Sequence, residues 1–188
     1  GLNEALLAIY RFTWNEFCDW YLEAIKSRIA HGAEPVQAVG TLRFAYSILD
    51  RLVRLLHPFM PFITEEIYSH LSNIPGLNWP DDRAESVARA DYPRGLEKDA
   101  DESAITEFVY VQELVKAIRN VRGELQVAPS REAILCIRES NPQRPLVERE
   151  WLTIARLARL SKLKTVNSKP PKSATTVVEG QEYYVPLE

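Results

Sequence analysis

Apolar positions organise the first part of the chain at helical spacing. Leu2, Leu6, Ile9, Thr13, Phe17, Trp20 and Ala24 recur every three or four residues, so they share one face of a helix predicted over residues 2–30. Phe12, Trp14, Tyr21 and Ile25 widen that face, which predicts burial on more than one side. His31-Gly32 supplies a stop signal. A second helix is predicted from Pro35 to His57, where Val39, Leu42, Tyr46, Leu49, Val53 and Leu56 alternate steps of three and four, as in the seam of an antiparallel bundle. Pro58 ends it, because proline disfavours helical geometry in the residue before it. Pro61 then suits the first turn of a third helix, where a missing N–H costs nothing. Ile63, Ile67 and Leu71 are expected on its inner face, and Glu65 and Glu66 near its positive end.

Residues 72–103 read as a long surface connection holding Pro75, Gly76, Pro80, Pro93 and Gly95, pinned by Trp79 and Tyr92. A fourth helix is predicted over about Ser103 to Leu125, with Phe108, Val111, Val115, Ile118 and Val121 facing inward beside Leu114 and Leu125. After Pro129 the period drops to two. Ala133, Leu135 and Ile137 alternate with Ile134, Cys136 and Arg138, which predicts a strand. An amphipathic helix follows over 146–160 through Val147, Trp151, Ile154, Leu157 and Leu160. Short strands fit Leu163–Val166, Thr175–Glu179 and Glu182–Leu187, the last two as a hairpin turning at Gly180-Gln181. The expected fold is therefore mainly α: an antiparallel helical bundle over residues 1–128, then a small α+β module over 129–188, with the boundary near Val127–Ser130.

Composition narrows the class. Apolar residues make up 46 % and charged residues 26 % of the 188, as in an ordinary globular chain. No apolar run approaches the ~18 residues of a membrane span. Cys18 and Cys136 lie far apart and fit no metal spacing; Cys18 reads as a packed core residue, and so few cysteines suit a reducing cytosol. The chain opens at Gly1 directly into a helical pattern, as an excised piece of a longer protein would. Net charge is −3 but uneven, with −6 over residues 1–102 and +3 over 103–188. Between Trp151 and Lys172 stand Arg156, Arg159, Lys162, Lys164, Lys169 and Lys172 with no acid. Such a run is either a solvated face or a phosphate-binding patch, since screening makes charge a local property.

Catalytic readings find little purchase. There is no glycine-rich phosphate loop, no His-Glu-x-x-His and no Cys-x-x-Cys. Glu65 and Glu66 are adjacent on a helix and point in different directions, so they cannot flank one substrate bond as acid and base. Binding chemistry is better represented. Arg119 and Arg122 stand three apart on one helix, with Lys116 three before Arg119. Such a row can grip phosphates or a splayed base, and its heads are expected to reach solvent. The competing reading is a solvated face with weak pairs to Glu113, Glu124 or Glu132. The aromatic set Phe12, Trp14, Phe17, Trp20 and Tyr21, with Arg11, is either core or a stacking platform for unpaired bases.

Three strings add a resemblance. Tyr10-Arg11-Phe12-Thr13-Trp14-Asn15-Glu16-Phe17-Cys18-Asp19-Trp20-Tyr21 resembles the helix-bundle domain of the class I aminoacyl-tRNA synthetases for valine, isoleucine and leucine. His57-Pro58-Phe59-Met60-Pro61-Phe62-Ile63-Thr64-Glu65-Glu66 resembles the link between two later helices of that bundle. Ile118-Arg119-Asn120-Val121-Arg122-Gly123-Glu124, with Val127-Ala128-Pro129, is similar to the valyl branch in particular.

The resemblance covers nearly the whole chain. It implies the C-terminal anticodon-binding region of a valyl-type synthetase, without the upstream bundle helices and before a C-terminal coiled coil. Its parent would be a monomeric cytoplasmic ligase using ATP in a separate domain. The fragment itself would carry no cofactor, metal or catalytic residue and have no membrane partner. Its partner would be tRNA-Val. The implied RNA contacts are Lys116, Arg119 and Arg122, then Arg156, Arg159, Lys162 and Lys164. Glu65 and Glu66 stay structural. Two further expectations are self-association through the apolar face around Leu2, Leu6 and Ile9, and no valine-dependent ATP–pyrophosphate exchange by this piece alone. The alternative function is a helical protein–protein interaction module.

Overall fold

The computed structural model describes residues 1–29, 34–95, 100–128 and 130–186, with only the backbone of Ser27. The expected stop at His31-Gly32, Pro129 at the expected module boundary and the end of the last expected strand at Leu187 lie outside the described residues. The chain divides into two compact units, Gly1–Asp99 and Ala100–Glu188. Their formal charges are −4 and +1, so the charge contrast follows the fold less sharply than it follows the sequence. The division at Asp99/Ala100 gives the fourth predicted helix to the second unit, so residue 128 falls inside that unit.

In the first unit, helix α1 (Leu2–Arg11) runs into a π-helical segment (Phe12–Leu22) and then α2 (Glu23–Ile29). The predicted face holds where it is covered: Phe17 and Trp20 are buried, and Leu6, Ile9, Thr13 and Ala24 are half-buried. Burial on further sides is partial, with Ile25 buried and Tyr21 half-buried. Phe12 and Trp14 are about half exposed and Leu2 is 72 % exposed. The π geometry, with its i→i+5 bonding, turns Phe12 and Trp14 differently from an α-helix of the same sequence. Helix α3 (Pro35–Leu56) packs on α1, α2 and α4 (Pro61–Ser72), and prolines stand at the first turns of α3 and α4 as predicted.

The buried face of α4 is Thr64, Tyr68 and Leu71, with Ile67 half-buried against the same core as expected, whereas Ile63 is 53 % exposed. Thr64 turns inward because its hydroxyl has partners there. It donates to the carbonyls of Met60 and Pro61 (2.8 and 3.1 Å) and lies 2.8 Å from His57 Nδ1. Tyr68 turns inward because its ring receives the Arg83 guanidinium at 3.9 Å, which also lies 4.1 Å from the Trp79 ring. Arg83 is held there by buried Asp50 at 2.8 Å, and the same carboxylate takes Arg54 at 2.7 Å.

Trp79 pins the following connection as expected, donating from its indole N–H to the Leu71 carbonyl at 2.8 Å and packing beside Val53, Tyr68, Leu71 and Val87. Tyr92 does not pin it, and its side chain is 55 % exposed.

The second unit opens with α5 (Glu102–Glu124), whose first turn is capped by the Asp101 carboxylate accepting from the Ala104 N–H at 3.0 Å. The residues that follow build a four-stranded mixed sheet of order β2-β1-β4-β3. Strand β1 (Ala133–Arg138) runs parallel to β2 (Leu160–Val166), and the predicted helix between them is two pieces, α6 (Arg144–Arg149) and α7 (Trp151–Ala158), broken at Glu150. Strands β3 (Ser173–Val178) and β4 (Gln181–Pro186) form the hairpin. Its turn is Glu179-Gly180, one residue earlier than predicted. Both residues have positive φ (46° and 77°), and this left-handed pair suits glycine and matches strand twist.

The central strands are buried on both faces, since Leu135, Cys136 and Ile137 are all buried, as are Tyr183, Tyr184 and Val185. Helix α5 packs on β3 and α7, and α7 on β2. A hydroxyl pair, Tyr110 to Tyr183 at 2.6 Å, joins α5 to β4.

Candidate nucleic-acid interface

Every basic residue that the resemblance implies as an RNA contact falls in the second unit. Two of them, on α5, do something the helix period did not disclose. Arg122 is buried, which corrects the expectation that its head reaches solvent. One of its terminal nitrogens donates to the Arg159 carbonyl at 2.8 Å, and the other to the carbonyls of Arg131 and, at 3.4 Å, Ala128. The guanidinium thus ties the end of α5 to the loop before β1 and to the turn between α7 and β2. Burial and the nearby charge of Arg159 push its pKa below the ordinary arginine value. Such a fork on carbonyls is chemistry that arginine provides and lysine does not.

Arg119 is intermediate in character. It is exposed, yet its Nε–H donates to the Leu157 carbonyl at 2.8 Å, the end of α7 where orphan carbonyls collect. Arg119 and Arg122 therefore draw α5 onto the carbonyls of Leu157 and Arg159, in the last turn of α7 and at its C-cap. Arg159 sits at that helix's C-cap with left-handed φ of 56°, a conformation that aims its carbonyl at Arg122 and leaves its own side chain exposed.

Lys116, Arg156, Lys162 and Lys164 are all exposed. Lys162 and Lys164 alternate along β2, an edge strand, where lysine also discourages edge-to-edge pairing. Helix α5 packs on α7 and α7 on β2, so the elements that carry these basic residues belong to one compact unit. The two thiols offer no reactive alternative: burial raises both Cys18 and Cys136 above the ordinary thiol value, Cys136 being buried and Cys18 half-buried.

Among the described residues no group of three or more His, Cys, Asp or Glu side chains is placed to hold a metal ion. No helix is long and apolar enough to cross a membrane. The exposed arginine and lysine side chains of α5, α7 and β2 supply the chemistry that phosphate binding requires. Residues 1–137 match the family model of the anticodon-binding domain of tRNA ligases, and the chain belongs to that family. It is 41 % identical over 191 residues to a valine–tRNA ligase of Geobacter sulfurreducens, an alignment that takes in 99 % of this chain and 20 % of that protein. The chain thus spans about a fifth of the length of the curated relative it matches.

Proposed function

We propose that this chain is the anticodon-binding region of a valine–tRNA ligase and that its partner is tRNA-Val. The observation that carries this reading is the pairing of the family match with 41 % identity, along almost the whole chain, to a protein named for valine. In this reading the helical part is the family's antiparallel bundle, running to residue 128, and residues 129–188 form an accessory α+β module. Joining valine to tRNA with ATP belongs to another part of a cytoplasmic, monomeric parent. The residues meeting RNA are Lys116, Arg119, Arg156, Arg159, Lys162 and Lys164. Arg122 serves them from behind, by fixing α5 to the turn that carries Arg159.

Binding of the chain to tRNA-Val, compared with a mismatched tRNA at two salt concentrations, tests this. The expected result is tighter binding of tRNA-Val and a steep loss of affinity with salt through counterion release. Equal affinity for both tRNAs would refute the valine assignment, and no binding to either would refute RNA binding. A second reading has one observation in its favour. Leu7, Tyr10, Trp14, Leu56 and Met60 line an open apolar hollow of about 660 Å³ in the first unit, which suits self-association or a partner helix. Apolar docking would persist at high salt, so the same titrations, with the mass of the chain in solution, separate the two.

A further inference from the structure

The acidic first unit carries a local concentration of arginine that the sequence pattern did not single out. Arg51 and Arg54 of α3 and the segment 91–94 line an open groove of about 690 Å³, within the roughly 300–1,000 Å³ typical of small-molecule sites. A second hollow of about 470 Å³ shares Arg51, Arg54 and Asp91 with it and adds Arg89. Across the two, five arginines face three aspartates, a local excess of two positive charges in a unit whose net charge is −4.

These arginines divide by role. Arg54 is fixed: Asp50 holds one terminal nitrogen at 2.7 Å, and the other donates to the Asp91 carbonyl at 3.0 Å. Those two bonds clamp the start of segment 91–94 against α3 and so set the width of the groove. Arg83, held by the same carboxylate and covered by two rings, backs the clamp. Arg51, Arg89 and Arg94 are exposed, and their side chains make no hydrogen bond or ion pair among the described residues. Between Asp91 and Arg94 stands Tyr92, a lining residue whose ring is more than half exposed although the sequence marks it as an anchor.

Unpaired guanidinium groups beside an exposed aromatic ring, on walls held in place by a buried ion-pair network, match the needs of a single-stranded nucleotide segment. The arginines meet phosphates and the ring offers a stacking face that any base can use. We propose that this groove is a second RNA contact, in which Arg51 and Arg94 bind backbone phosphates and Tyr92 stacks on an unpaired base. The proposal rests on the tRNA-binding reading above and extends it to a surface distinct from the basic residues of α5, α7 and β2.

The test uses the whole 188-residue chain and tRNA-Val, with affinity measured across a salt series. Because none of the three side chains has a partner, Arg51→Ala/Arg94→Ala and Tyr92→Ala should leave the melting temperature unchanged. The double arginine variant should lower the salt slope by about 1.4, the value for two lost single-strand phosphate contacts. The lysine double variant, Arg51→Lys/Arg94→Lys, should keep the slope. Tyr92→Ala should weaken binding about five-fold or more with the slope intact, as expected for a lost stacking contact. If the wild-type chain binds tRNA and the arginine variant binds it equally well, the groove is not an RNA contact while the proposed function survives. If the slope falls but Tyr92→Ala changes nothing, the groove is a bare anion site and the strand-binding proposal is overturned. Absence of wild-type binding would overturn both readings together.

Discussion

Arginine plays opposite parts in the two units. In the second, Arg119 and Arg122 occupy helix positions that look solvent-facing, yet both guanidinium groups reach back onto main-chain carbonyls, and Arg122 is buried there. In the first, Arg54 and Arg83 converge on one buried carboxylate, while Arg51, Arg89 and Arg94 remain without partners. Helical period tells which way a Cα–Cβ bond points. It does not tell whether a long side chain that starts outward ends in water or in the notch beside the next element. A charged residue at a helix end, next to a loop with orphan carbonyls, is the case in which that difference is largest.

The comparison can be broken most severely at Asp50. Asp50→Ala leaves two partly buried arginines without their carboxylate and should cost about 3–5 kcal/mol, read by urea unfolding. A loss below ~1 kcal/mol would mean that the first unit does not depend on the network. Arg122→Ala should cost about 2–3 kcal/mol because it removes a buried guanidinium that donates to the carbonyls of Arg159, Arg131 and Ala128, and Arg122→Lys should recover little of it. Unchanged stability with weakened tRNA binding would return Arg122 to the RNA-facing set.

Tyr183→Phe removes the hydroxyl partner of Tyr110 and should cost about 1 kcal/mol. The same pair sets an alkaline limit. Burial pushes both hydroxyls above the ordinary tyrosine value, and Tyr110 is raised further by its bond to Tyr183. The folded state therefore keeps protons that the unfolded chain releases above about pH 10. The stability these groups contribute is complete below that pH and falls as pH rises past it. Tyr183→Phe should flatten that fall in a series of melting temperatures. Smallest of all, Lys162→Ala and Lys164→Ala should each change stability by no more than about 0.5 kcal/mol, which leaves any loss of tRNA affinity attributable to contact.

Much of the element order is legible in the sequence. Pro35 and Pro61 mark helix starts, the period-two run at Ala133–Ile137 marks a strand, and Gly180 marks a hairpin turn. What the pattern misread has local physical causes. The inner face of α4 is rotated because Thr64 and Tyr68 have polar and cationic partners that outweigh the apolar claim of Ile63. The expected single helix over 146–160 breaks at Glu150, where φ −94° and ψ 14° interrupt a pattern that stays apolar through both pieces. In the sheet, alternation carries no inside–outside information, because β1 and β4 are covered on both faces. For the candidate interface, residue types were legible and their environments were not. The exposure of Tyr92 and the burial of Arg122 depend on neighbours 30 or more positions away, through the clamp from Arg54 and the carbonyl of Arg159.

Strand β4 joins both antiparallel neighbours, β1 on one side and β3 on the other, and it is the last strand of the sheet in chain order. This placement has a consequence in time. During synthesis, α5, β1, α6, α7 and β2 emerge while the slot between β1 and β3 is still empty. The edge of β1 and the inner face of α5 wait, uncovered, for residues 181–186. Pairing across such a sequence separation is slow to nucleate, and waiting edges invite pairing with other chains. Lys162 and Lys164 guard the far edge meanwhile, whereas β1 carries one charge, Arg138 at its end, after Leu135, Cys136 and Ile137 in a row. The nascent second unit thus keeps a sheet edge open until residues 181–186 are made.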